Sequence, residues 1–266
     1  MTEQNLAWRP RAVALDIDGT IVDHAGVLPS AIRDAVARVV AAGVPVILTT
    51  GRSWHATRPI FEELELPPGP AVSSNGAVVV RFPPLELQQV STFDPSDVIE
   101  RVLREHPSAS LAAEVIGQGY RVTRRFPEGD LHGHIEVVSV DELAGSDVTR
   151  IVVRDPNASD GEFIALAERL GLHGVSYFVG WSAWLDIAPA GVNKATALAD
   201  VVASLDVAAA DVLALGDGRN DIEMLQWAGR GVALGDSSPE VLAMARFVTG
   251  SFDEGGTVTE LKRWFG

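Results

Sequence analysis

The stretch Ala12-Val13-Ala14-Leu15-Asp16-Ile17-Asp18-Gly19-Thr20 decides the fold. Its first four residues are apolar without alternation, the pattern of a strand buried on both faces within a parallel sheet. The run ends directly in two acids, a glycine and a hydroxyl. In open parallel sheets, ligands bind at the carboxyl ends of the strands. Asp16 and Asp18 lie on the same side of an extended chain. Two carboxylates so close repel unless a cation or different protonation states hold them, and a divalent metal is the simplest resolution. Without such a partner, the same residues read as a polar turn, with Asp-Gly as its turn chemistry.

Outward from this stretch the pattern repeats. Val44-Pro45-Val46-Ile47-Leu48 is a second apolar run, ending at Thr49-Thr50-Gly51. Between the two runs, Ile32, Ala35, Val36, Val39 and Val40 have helical spacing, with Ser30 as N-cap and Gly43 as stop. The β-α-β unit implies a right-handed crossover. At the far end Val212-Leu213-Ala214-Leu215 runs into Gly216-Asp217, and a helix follows through Met224 to Trp227. Gly231 to Leu234 is a further short strand, and Ser238-Pro239 opens a helix. The middle differs. Tyr120 to Arg124, His134 to Val138, Thr149 to Arg154 and Val175 to Phe178 alternate polar and apolar, with helices at Ser96 to Glu105 and Gly161 to Leu170. That alternation predicts an antiparallel sheet with helices on one face. The expected fold is α/β: a doubly wound, Rossmann-like parallel-sheet core over residues 1–83 and 185–266, interrupted by an inserted α+β domain over 84–184.

The chain has 266 residues, with 21 Lys+Arg against 36 Asp+Glu and a net charge of −15. This acidity argues against nonspecific nucleic-acid binding, which needs Lys and Arg to neutralise phosphates. A bound cation still permits an anionic substrate. The absence of cysteine excludes thiolate catalysis, disulfides and Cys-ligated zinc. The first residues lack the pattern of a secretory leader, and no window has the roughly 18 apolar residues of a membrane span. A cytoplasmic protein without membrane partners is the expectation.

Three further polar clusters sit at predicted strand ends or helix starts. Thr49-Thr50-Gly51-Arg52 offers a hydroxyl and backbone donors to an anion. Lys194, in Gly191-Val192-Asn193-Lys194, opens a helix whose macrodipole disfavours it, so it is informative only if an anion lies opposite. In Gly216-Asp217-Gly218-Arg219-Asn220-Asp221, three oxygen-bearing side chains crowd a turn and suit a hard cation such as Mg²⁺. Each alone also reads plainly, as a helix cap, a strand end or a solvated lysine.

Their order is more specific than any one of them. The chain resembles the haloacid dehalogenase superfamily of phosphohydrolases, and within it the Cof-type branch with an α+β cap. The resemblance rests on Asp16 to Thr20, Thr50-Gly51-Arg52, Ser74-Asn75-Gly76-Ala77, Val192 to Ala195, Gly216-Asp217 with Asn220-Asp221, and Gly231 to Gly235. Asp236-Ser237 stands where members often carry Asn-Ala. The resemblance implies a Mg²⁺-dependent phosphatase acting on small phosphorylated metabolites, with sugar phosphates as the first candidates. Asp16 would be the nucleophile and Asp18 the acid and base. Thr50, Gly51, Lys194 and Asn220 would hold the phosphoryl group. Mg²⁺ would be bound by Asp16, the Asp18 carbonyl and Asp217, with Asp221 and Arg52 in support. The cap would supply leaving-group contacts from Arg124, Arg125, His132, His134, Trp181 or Trp184, with Trp54 and His55 at the pocket mouth. The expected partner is a small-molecule phosphate ester. The alternatives are a sugar phosphomutase and a non-catalytic phosphometabolite-binding protein on the same fold.

Overall fold

The computed structural model describes residues 8–170, 175–179 and 184–266. The chain begins with β1 (Ala12–Leu15), α1 (Ser30–Ala41), β2 (Val46–Leu48) and α2 (Trp54–Glu63), followed by β3 (Gly69–Ser73), β4 (Val78–Phe82) and β5 (Glu86–Val90). The middle section contains α3 (Ser96–Glu105), β6 (Ser110–Val115), β7 (Gly119–Val122), β8 (His134–Val137), α4 (Val140–Ala144), β9 (Ile151–Arg154), α5 (Asp160–Leu170), β10 (Val175–Val179) and β11 (Trp184–Pro189). The last section contains α6 (Lys194–Ser204), β12 (Val212–Gly216), α7 (Ile222–Trp227), β13 (Arg230–Ala233), α8 (Pro239–Met244), β14 (Phe247–Val248) and α9 (Gly256–Phe265).

The core is a five-stranded sheet in the order β14-β13-β12-β1-β2, with every pair parallel. Because side chains alternate along a strand, the apolar runs serve both faces. Val13, Leu15, Val46, Leu48, Leu213 and Leu215 pack with α1, α2 and α9. Ala12, Ala14, Ile47, Val212 and Ala214 pack with α6, α7 and α8 on the other side. This is the doubly wound arrangement expected from the continuous runs. α1 buries Ile32, Ala35, Val36 and Val39, and Gly43 follows it with φ of 74°. Its N-cap is Pro29 rather than Ser30, and no side-chain cap bond forms there.

An isolated parallel bridge between Thr49 and Val72 sets β3 beside β2, and β3-β4-β5 continues as an antiparallel meander. A second sheet has the order β10-β11-β9-β6-β7-β8. It is antiparallel except for β7 and β8, which run parallel with Gly119 opposite His134. The expected all-antiparallel sheet is therefore corrected to a mixed one. The segment between β7 and β8 crosses over instead of turning back as a hairpin. Strand pairing also assigns the boundary segments: β5 pairs with β4, and β11 pairs with β10 and β9. The expected breaks after 83 and 184 thus cut off β5 and β11 from the units they belong to. α3, α4 and α5 cover one face of this inserted sheet, burying Val102, Leu143 and Phe163 against Leu111, Val153 and Ile187. The opposite face carries Ala112, Tyr120, Val122 and Val152. Among the described residues, no helix is long and apolar enough to cross a membrane.

Candidate active site

The ends of β1, β2, β3 and β12 converge on one cleft of about 910 Å³, within the size range of small-ligand sites, and the start of α6 reaches Asp16 at its edge. α6 is opened by a reciprocal cap. Asn193 Oδ1 accepts from the Thr196 amide at 2.9 Å, and Thr196 Oγ1 accepts from the Asn193 amide at 3.1 Å. Helical spacing then puts Lys194 on the same buried face as Ala197, Leu198 and Val201. Lys194 is fully buried, one of only two lysines in the chain. Its Nζ donates to Asp16 Oδ1 and to Asp221 Oδ1, each at 2.6 Å. The anion that a helix-opening lysine requires is therefore present.

Asp16, Asp217 and Asp221 each place one oxygen within 4.8 Å of the others. Thr20 Oγ1 donates to Asp217 Oδ1 at 3.1 Å and lies 3.4 Å from Asp16 Oδ2. Gly19 has φ of 74°, and a Cβ there would stand 2.4 Å from Asp217 Oδ2, so only glycine lets the β1 loop pass this carboxylate. Among the described residues three carboxylates face one ammonium, and burial together with the excess of negative charge shows in the proton affinities of Asp16 and Asp217. Burial first, then the Asp221 charge, raise the Asp16 carboxyl well above the ordinary range despite Lys194. The same two causes push Asp217 up to about 7. Burial works against the charged form of Lys194, but Asp16 and Asp221 outweigh it, and its pKa is raised.

An all-oxygen, anion-rich cluster fits a hard divalent cation. Asp221 is already committed, with Oδ1 to Lys194 and Oδ2 accepting the amides of Asp217 and Gly218 at 3.1 and 2.9 Å. The carboxylates left to hold an ion are those of Asp16 and Asp217. The Asp18 side chain lies outside this cluster. Its carboxylate is 60% exposed and receives both Arg52 Nε at 2.9 Å and Arg52 Nη2 at 2.6 Å. Thr50 is buried and accepts the Arg52 amide at 3.1 Å, which leaves its hydroxyl proton to donate. Asn220 donates to Asn75 Oδ1 at 2.9 Å, and Gly51, Asn75 and Asn220 all line the cleft.

The expected cap residues divide. His132 and Trp184 line the cleft. Arg124 does not, because its guanidinium donates to the carbonyls of Ser108 and Pro107 at 3.0 and 3.3 Å. Arg125 is exposed, and neither it nor His134 is part of the cleft wall. Trp181 lies outside the described residues. Trp54 is 1% exposed and packs edge-on against Phe61 and Phe82, so it is core rather than pocket mouth. His55, next to it, is exposed and outside the cleft wall. Sequence reasoning missed Tyr120, Arg150, Asp186 and Glu114. Arg150 donates to the Gly51 carbonyl and to Tyr120 Oη, and it lies 3.7 Å from Glu114 Oε2 and 3.5 Å from Asp186 Oδ1. Glu114 accepts from Ser74 Oγ. A buried polar cluster thus ties the inserted sheet to the loops after β2 and β3.

Residues 13–261 match the haloacid dehalogenase-like hydrolase family, and the chain belongs to it. It is 30% identical over 266 residues to a phosphoglycolate phosphatase of Aeropyrum pernix, covering 99% of this chain and 97% of that one. It is 28% identical over 274 residues to the 5-amino-6-(5-phospho-D-ribitylamino)uracil phosphatase YitU of Bacillus subtilis strain 168, covering 97% and 98%. Its fold is that of a solved haloacid dehalogenase subclass IIB sugar phosphatase, with TM-score 0.80, 22% identity and coverage of 95% and 98%. Family and relatives together make the protein a phosphoric monoester hydrolase.

Proposed function

We propose that the protein is a Mg²⁺-dependent phosphatase of small phosphorylated metabolites, sugar phosphates among them, working through an aspartyl-phosphate on Asp16. The observation that carries this reading is the buried Lys194 bridging Asp16 and Asp221 at the strand ends, beside Asp217. Asp16 attacks phosphorus, a P–O bond forms on its carboxylate, and the ester oxygen departs. Asp18 protonates that oxygen and then takes a proton from the water that hydrolyses the intermediate. Arg52, gripping both Asp18 oxygens, fixes where that proton is delivered. The Thr50 hydroxyl, the Gly51 amide, the third Lys194 proton and the Asn220 amide hold the phosphoryl oxygens, and such positioning is most of phosphoryl-transfer catalysis. Asp16 and Asp217, with the Asp18 carbonyl, would hold Mg²⁺, which when bound screens the approach of one anion to another. Asp221 keeps Lys194 in place.

The test is phosphate release from sugar phosphates, nucleotides and p-nitrophenyl phosphate, with Mg²⁺ and with EDTA. Release with Mg²⁺ that EDTA abolishes supports the proposal. Equal release in EDTA removes the metal from it, and no release from any compound overturns it.

A further inference from the structure

Tyr120, Arg150, Trp184 and Asp186 form the wall that the inserted sheet gives to the cleft. Arg150 is 3% exposed and Asp186 8%. Arg150 Nη1 donates to the Gly51 carbonyl and Nη2 to Tyr120 Oη, while Nε has no hydrogen-bond partner and stands 3.7 Å from Glu114 Oε2. Asp186 is half satisfied. Its Oδ2 accepts from Trp184 Nε1 at 3.2 Å, whereas Oδ1 receives no hydrogen bond, and Arg150 Nη1 stands 3.5 Å from it. A buried carboxylate oxygen without a donor is costly, and Asp186 is one of the residues that line the cleft. Gly51 lies on the proposed phosphate loop, Arg150 touches Gly51, and Asp186 touches Arg150. Asp186 is therefore one guanidinium away from the phosphoryl position, where the leaving group extends.

Charge decides what that leaving group carries. Among the described residues, Glu114 and Asp186 together face the single cation Arg150. The other arginines on the described cleft wall are also paired, Arg52 with Asp18 and Arg219 with Glu240, and His24 and His132 are the remaining basic side chains there. A second anion beside Asp186 would meet like charge without a free guanidinium to offset it. A second cation on Oδ1 would meet Arg150.

We infer that Asp186, set by Arg150 and Trp184, is a specificity-determining residue that accepts a hydrogen bond from a hydroxyl of an uncharged, hydroxyl-bearing leaving group. It disfavours leaving groups with a carboxylate or a second phosphate. This rests on the phosphatase reading above and deepens it. It also separates this chain from its phosphoglycolate phosphatase relative, whose named substrate carries a carboxylate.

The test measures kcat/KM with Mg²⁺ for glycerol 1-phosphate, sorbitol 6-phosphate, glucose 6-phosphate, glucosamine 6-phosphate and phosphoglycolate, with p-nitrophenyl phosphate to report turnover itself. In the unaltered protein the best hydroxylated substrate exceeds phosphoglycolate at least about tenfold, the scale of one charge-assisted hydrogen bond. Glucosamine 6-phosphate gains nothing over glucose 6-phosphate. In Asp186→Asn, which keeps the shape and removes the charge, the ratio of hydroxylated substrate to phosphoglycolate falls by about tenfold. Phosphoglycolate equal or preferred in the unaltered protein overturns the inference even if the variant does not fold. So does a tenfold preference for the amine, or an unchanged ratio in a folded Asp186→Asn. These outcomes leave the phosphatase reading standing. Absence of turnover on every compound, p-nitrophenyl phosphate included, fails that reading, and the inference falls with it.

Discussion

Replacing Lys194 by methionine removes the one cation that, among the described residues, touches the Asp16, Asp217 and Asp221 cluster. The side chain is fully buried with two 2.6 Å contacts to carboxylates, so its loss leaves the buried Asp221 and the nearly buried Asp16 without their counter-charge. Removing one partner of a buried ion pair costs about 3–5 kcal/mol. At about 2–4 °C per kcal/mol for a chain near this size, the melting temperature drops by roughly 6–20 °C. The loss depends on pH, because without Lys194 only protons relieve the repulsion. Asp16 and Asp217 have folded-state pKa values raised above their unfolded ones. The folded chain then binds more protons, so stability is full below the unfolded value and is lost as pH rises through the folded value. Thermal unfolding in EDTA at pH 5.5 and pH 8, beside the exposed-lysine control Lys262→Met, checks this. The variant is expected to lose much more stability at pH 8 than at pH 5.5, and to lose about a thousandfold in phosphatase turnover, the scale of removing a key electrostatic donor. A melting temperature within about 2 °C of the unaltered protein at pH 8, or activity equal to Lys262→Met, would refute the reasoning.

The metal-free protein should itself lose stability between about pH 5 and pH 8 as Asp217, held up to about 7, ionises. Mg²⁺ should raise the melting temperature by mass action, with a larger shift at pH 8 than at pH 5.5, and an equal shift at both pH values would count against Asp217 as a ligand. Gly19→Ala puts a methyl 2.4 Å from Asp217 Oδ2 and forces a positive φ on alanine. Calorimetry should find Mg²⁺ bound at least about tenfold more weakly, since disturbing such supporting groups typically costs 10–100-fold. Arg52→Ala frees the Asp18 carboxylate and should lower kcat by about tenfold or more with little change in melting temperature. Arg52→Lys should not restore it, because lysine lacks the two-pronged grip.

What the sequence makes legible follows from range. β1, β2, β12 and α1 can be read locally because an apolar run or a helical period is a property of adjacent residues, and the parallel core follows from connection handedness. Ser238-Pro239 opens α8 as expected, with the Ser238 hydroxyl accepting from the Val241 amide. Asp16, Thr50 and Asp217 stand out as candidates because strand ends in such a sheet gather on one edge, and Lys194 because a helix-opening lysine calls for an anion opposite it. The wall above that edge is not readable in the same way. Which inserted strand covers which loop depends on pairings such as β7 with β8, set by a crossover rather than by a turn signal. Tyr120 and Arg124 both sit in an alternating stretch, yet Tyr120 lies on the cleft face while Arg124 turns to the carbonyls of Pro107 and Ser108. Arg150 stands ahead of an apolar run and looks like a solvated strand start. Its partners Gly51, Glu114, Tyr120 and Asp186 are between 30 and 99 residues distant. No local pattern announces such a cluster.

The claim that Asp16 carries the phosphoryl group is tested most directly by trapping it. The protein is mixed with Mg²⁺ and a rapidly turned-over phosphate ester, quenched in acid, and reduced with borohydride, which converts an aspartyl-phosphate to homoserine. Peptide mass spectrometry then locates the change. The account predicts homoserine at position 16 in the reacting protein, none without substrate, and neither turnover nor homoserine in Asp16→Asn. Phosphate release continuing in Asp16→Asn, or the modification appearing at another acid, would contradict it.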